Sequence, residues 1–256
     1  MTVVRAALLL AVAAAVLLSA CGGDDEPTAT DTDTVTLPAL SAGKVYWLRD
    51  GKVWPAAREL PATSSETAAL EELFAGPTDQ EGADLGFETA IPPHAESAEI
   101  GRLSISDGVA SFSPPRALTR PALAQVVYTL TQFPTIDSVE IDPERYTRLD
   151  FEEQTPSVLV ESPLPVEEVS SPITATGTAN TFEATFHYEL TDTDGLIVDE
   201  NFVTATSGTG TRGTFEFTTD EYTVPFDGIG SLIVFERSAE DGSKMNIVEI
   251  PLRMSR

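Results

Sequence analysis

Cysteine is nearly absent from this 256-residue chain, with Cys21 its one example. A single thiol excludes an intramolecular disulfide framework and any cysteine-rich zinc site. Histidine is almost as scarce: His94 and His187 leave little for histidine-based catalysis or metal binding. Cations are few as well, 15 Lys and Arg against 41 Asp and Glu, for a net charge of −26. That balance argues against a nucleic-acid partner, because affinity for phosphate backbones comes from clustered cations, and against unaided adhesion to anionic lipid. The apolar run at residues 6–18 is too short to span a bilayer. What is present fits a folded protein: 41% hydrophobic and 22% charged residues, in a length suited to two domains.

The apolar run follows Arg5 and ends in Leu18-Ser19-Ala20-Cys21, a charged n-region and an h-region of secretory type. Leu-Ser-Ala-Cys resembles a bacterial lipobox, which implies cleavage after residue 20 and acylation of Cys21 by palmitate-type chains. The mature protein would then sit on the extracytoplasmic face of the cell membrane, held by its lipid. Partition explains the hold: each buried methylene contributes about 0.8 kcal/mol, and two or more chains are needed for stable attachment. Loss of Arg5 takes the net charge to −27. Residues 21–43 read as a lipidated acidic tether, Thr-rich, with five acids and no Lys or Arg. Its Asp-Thr alternation matches no EF-hand loop.

Residues 44–141 read as a small α+β domain. Val45–Leu48 and Val53-Trp54 flank Asp50-Gly51, a hairpin signal. Thr63 and Glu66 have capping-box spacing before a stripe of Ala69, Leu70, Leu73 and Phe74, and Gly76-Pro77 ends that helix. Asp107-Gly108 marks a second hairpin. Pro121 opens a second helix whose Leu123, Val126, Val127 and Leu130 lie at i, i+3, i+4 and i+7. Gln125, Tyr128, Thr129 and Gln132 occupy its other side, either as a plain solvent face or as a polar groove that contacts a partner. Leu73–Pro77, Thr89–Pro92, Asp107–Ala110 and above all Gln125–Phe133 resemble the GerMN domain of spore-germination lipoproteins and other bacterial envelope proteins. His94 stands where that pattern often has Gly, and reads as a loop residue rather than a general base.

Residues 142–156 hold five acids, two Arg and two Pro and read as a linker. Residues 157–256 read as an all-β, immunoglobulin-like sandwich of about seven short strands. Phe182, Ala184, Phe186, Tyr188 and Leu190 alternate with polar residues, placing His187 on the solvent side. Val160–Pro163, Gly177–Ala184, Ser207–Gly210, Gly213–Phe215 and Ser238–Ser243 resemble the immunoglobulin-like Gmad2 domain, which commonly follows GerMN.

Residues 208–213 match G-x-G-x-x-G, yet the loop leads into a strand pattern, whereas a dinucleotide site needs a helix N-terminus there. It reads as a turn. Arg212, one of five Lys and Arg after residue 156, is a candidate contact for an acidic partner or glycan, as are Gln125, Tyr128 and Gln132 for a protein partner. Asp192-Thr193-Asp194-Gly195 reads as hairpin chemistry before it reads as a calcium turn. No G-x-S-x-G, H-E-x-x-H or Walker A motif is present. The sequence therefore predicts no catalytic residues, cofactor or metal. It predicts a non-enzymatic, lipid-anchored adaptor for another envelope protein, linked by resemblance to sporulation, germination or envelope sensing. The alternatives are a peptidoglycan- or glycan-binding lipoprotein and a cell-wall hydrolase.

Overall fold

The computed structural model describes residues 39–92, 102–141 and 143–256. Cys21, the signal, most of the tether and His94 lie outside the described residues. Residues 38–256 form one compact unit. Strands dominate it, and among the described residues the α-helices fall in the first half.

The first strand, β1 (Leu40–Arg49), begins inside the segment read as tether and pairs antiparallel with β2 (Lys52–Pro61). Asp50 and Gly51 both have positive φ, which is the backbone a two-residue type I′ hairpin requires. Helix α1 (Ser65–Ala75) follows. Its apolar stripe is buried as predicted, but no side chain caps its N-terminus, so the Thr63/Glu66 pair does not form a capping box. The box belongs instead to a short helix the hydrophobic pattern passes over, α2 (Asp79–Leu85), where Thr78 and Glu81 exchange side-chain and backbone hydrogen bonds. With seven residues and none buried, α2 has no apolar stripe to announce it.

Strands β3 (Ser104–Ser106) and β4 (Val109–Ser111), helix α3 (Arg120–Leu130), and strands β5 (Ser138–Ile141) and β6 (Glu144–Tyr146) complete this half. They make a four-stranded sheet in the order β3-β4-β5-β6, with β4 and β5 parallel. The segment read as linker contains β6 and a 3-10 helix at Arg148–Gln154, whose Phe151 is fully buried.

The second half is a sandwich. One sheet holds β12 (Gly213–Thr218), β9 (Thr174–Ala179) and β7 (Val158–Ser162) in that order. The other runs β11 (Ile197–Thr204), β10 (Thr185–Thr191), β13 (Gly228–Arg237), β14 (Lys244–Met254), β8 (Glu168–Val169). Phe186, Tyr188 and Leu190 point into the core, where Phe186 meets Phe215 at 4.8 Å and Tyr188 stacks on Phe217 at 4.4 Å. The alternation is shorter than predicted: Phe182–Ala184 form a 3-10 turn with Glu183 and Ala184 at positive φ, and the strand starts at Thr185. Gly208 explains the interruption, since a Cβ there would lie 2.5 Å from Ala184 backbone, so the Gly-rich loop packs directly against the turn. One hydrophobic cluster runs through both halves, from Val45 through Phe151 to Met254.

Candidate functional site

β1 is an edge. Its partner β2 covers one side, which leaves backbone groups on the other side needing hydrogen bonds. Helix α3 and the turn after it supply them with side chains. Gln125 Nε2 donates to the Tyr46 carbonyl at 3.1 Å, Thr129 Oγ1 accepts from the Tyr46 N–H at 3.0 Å, and Gln132 Oε1 accepts from the Lys44 N–H at 2.7 Å. Gln125 Oε1 also accepts the Ala90 N–H at 2.8 Å. Gln125, Tyr128 and Thr129 are fully or almost fully buried. The face read as solvent or groove is thus a polar seam inside the domain, and Gln125 and Tyr128 offer no surface to a partner. Polar residues at 125, 129 and 132 already had helical spacing; only the strand edge opposite them gives that spacing its meaning.

Next to the seam the halves are tied by charge. Glu161 of β7 accepts the Tyr46 hydroxyl and the Arg148 guanidinium, the latter at 2.9 Å, on the same oxygen, Oε1. Arg148 also donates to Thr131 Oγ1 at 2.8 Å and the Tyr128 carbonyl at 3.3 Å, and lies 4.6 Å from the Tyr128 ring centre. Burial by itself would raise the Glu161 carboxyl. The Arg148 charge, the Tyr46 hydroxyl and the nearby Lys44 outweigh it and hold the group below the usual carboxylate range. Burial, and then the Glu161 charge, push the Tyr46 phenol well up. Burial draws the Lys44 ammonium down, against a partial upward pull from Glu161. Two clefts flank Lys44 and Gln132, of about 610 and 540 Å³.

Arg212 makes the second tie. Its guanidinium grips Glu152 through both carboxylate oxygens, at 3.0 and 2.7 Å, and donates to the Pro156 carbonyl at 2.9 Å. The acidic group it meets belongs to the same chain, and its side chain is 8% exposed. Burial would raise the Glu152 carboxyl, but Arg212 and Asn180 bring it below its ordinary value. Asp192 Oδ1 accepts the N–H groups of Asp194 and Leu196, each at 2.9 Å, so this carboxylate serves its own turn. The G-x-G-x-x-G loop leads into β12, as its sequence predicts.

The outer face of the five-stranded sheet is less polar than expected. His187 is half-buried and stacks on Phe235 at 5.7 Å, and Phe202 faces it from edge strand β11 with 62% of its surface exposed. Glu189, predicted to face solvent, is buried beneath Lys244, with which it pairs. Ile197 and Ile247 are exposed too. Among the described residues no group of three or more His, Cys, Asp or Glu could hold a metal ion, and no helix is long and apolar enough to cross a membrane.

The architecture is that of a two-module protein, an α+β unit joined to an immunoglobulin-like sandwich. Residues 44–144 match the family Germane, described as sporulation and spore germination, and residues 157–243 match Gmad2, the immunoglobulin-like domain of bacterial spore germination. The chain therefore carries a Germane and a Gmad2 domain in tandem, which indicates a function associated with sporulation or germination. Neither is a known enzyme family. No curated protein matches the chain significantly.

Proposed function

We propose that the chain is a lipoprotein of the bacterial envelope, acylated at Cys21 and held on the extracytoplasmic face of the membrane, where it acts as a non-catalytic adaptor for another envelope protein. The observation that carries this reading is the exposed apolar surface on the five-stranded sheet, with Phe202, Ile197 and Ile247 on a body otherwise strongly acidic. Scattered apolar residues need no explanation, but several on one sheet mark an interaction surface. The two ionic ties support it further, since they join the two halves of the compact unit that carries that sheet.

In-cell crosslinking of the tagged protein followed by mass spectrometry tests the reading, with Cys21→Ala and Phe202→Glu as controls. One dominant membrane protein, lost in both controls, is the expected result. Recovery of the same proteins from Cys21→Ala overturns the anchored adaptor, and absence of palmitate label on the parent chain overturns the lipidation. A second reading, peptidoglycan binding, is favoured by the exposed Phe202 ring, an aromatic face on which a sugar could stack. Sedimentation with purified sacculi, abolished by Phe202→Ala, would select it.

A further inference from the structure

We propose that the cleft beside Lys44 binds a small zwitterion of the α-amino acid class, its carboxylate on the Lys44 ammonium and its amino group on the unoccupied oxygen of Glu161. The cleft, of about 540 Å³, is formed where α3, the 3-10 helix and β7 meet β1. Sites for small molecules concentrate at such junctions between folded units.

Three observations select the ligand class. First, the half-buried Lys44 ammonium makes no hydrogen bond or ion pair among the described residues; the bonds of this residue are those of its backbone. An ammonium taken partly out of water, with the Glu161 charge near it but no direct partner, keeps donors that a ligand in the cleft can satisfy. Second, the bonds to Glu161, a residue lining the same cleft, both fall on Oε1, so Oε2 retains its accepting capacity. A donor and an acceptor of opposite charge thus line one cleft. Third, the lining balances Lys44 and Arg148 against Glu161 and Asp137, and Arg148 is already committed to Glu161, Thr131 and Tyr128. One uncommitted cation among these acids suits a monocarboxylate that brings its own positive charge, while Glu161 and Asp137 repel a dianion such as phosphate. Leu149, 76% exposed, and Ile136 add an apolar wall for a side chain.

The reading does not depend on a protein partner and is tested on the full chain by titration with free leucine, followed by amide NMR shifts. Saturable shifts at Thr131, Thr147 and Leu149 in the millimolar range are expected, with none from leucine methyl ester or inorganic phosphate. N-acetyl-leucine, which keeps the carboxylate and loses the ammonium, is expected to bind about tenfold more weakly, as is leucine to Lys44→Gln, while Lys44→Arg retains binding. Because burial costs the Lys44 ammonium more than the Glu161 charge returns, Lys44→Gln should melt at or above the parent temperature. Leu149→Ala, a change at an exposed position, supplies a second variant with weakened leucine binding. The proposal is overturned if leucine gives no saturable shift, if Lys44→Gln binds it as well as the parent, or if the ester or phosphate binds equally.

Discussion

The two halves of this molecule are held by different forces. In the Germane half, a helix meets a strand edge through amides and hydroxyls: Gln125, Thr129 and Gln132 satisfy the backbone of Lys44 and Tyr46. In the Gmad2 half, the core is aromatic and aliphatic, with Phe186 edge-on to Phe215 and Tyr188 stacked on Phe217 between two sheets. The difference follows from topology. A two-stranded hairpin has an open edge on each side, and a helix packed there must answer it with polar groups. A sandwich pairs its central strands on both sides and is free to fill the interior with hydrocarbon. Polar seams specify one register, whereas apolar cores supply most of the free energy.

Substitutions in the two cores should separate these roles. The largest loss is expected for Phe186→Ala, about 4 kcal/mol from lost burial and the cavity left behind, read from urea midpoints. Next comes Arg148→Ala, which strands the Glu161 charge and should cost about 3 kcal/mol at neutral pH. The same pair predicts acid sensitivity. The Glu161 carboxyl lies below its ordinary value in the folded state, so its contribution is complete above the unfolded-state value and is lost as pH falls through the folded one. Urea midpoints measured from pH 7 downward should therefore fall more steeply for the parent than for Glu161→Gln. A parallel fall in the two proteins would show that Arg148 does not stabilise the carboxylate form.

Gln125→Ala should cost about 2 kcal/mol by leaving the Tyr46 carbonyl and the Ala90 N–H unpaired. Its test against the polar-seam account is Gln125→Met, which fills the same volume: equal stability to the parent would show that packing, not hydrogen bonding, is what the position supplies. The smallest effect is expected at Arg212→Ala, about 1 kcal/mol, because Glu152 is partly solvated and water can replace the guanidinium. Hydrogen exchange should show that loss concentrated at residues 148–156, where the 3-10 helix and its following turn meet the sandwich.

Much of the fold is legible along the chain. The Asp-Gly hairpins, the buried stripes of α1 and α3 and the inward aromatics of β10 and β12 are local patterns, set by φ preference and by periods of 3.6 and 2. The short α2 is not legible, because its capping box lacks an apolar stripe to go with it. The start of β10 is misleading for the opposite reason: the alternation continues through Phe182 and Ala184, but close approach of Gly208 turns the backbone there.

The functional residues divide the same way. By itself the sequence determined the acidic character, the scarcity of Cys and His, the two-module order and the turn chemistry, since each depends on composition or on neighbours a few residues apart. Only the tertiary structure decided that Arg212 grips Glu152, that Gln125 and Tyr128 are interior, and that Lys44 and Glu161 share a cleft. Those residues are separated by tens of positions, and a polar side chain carries no mark of whether water, a strand edge or an opposite charge will meet it. That is settled when the chain closes and each buried donor must find its acceptor.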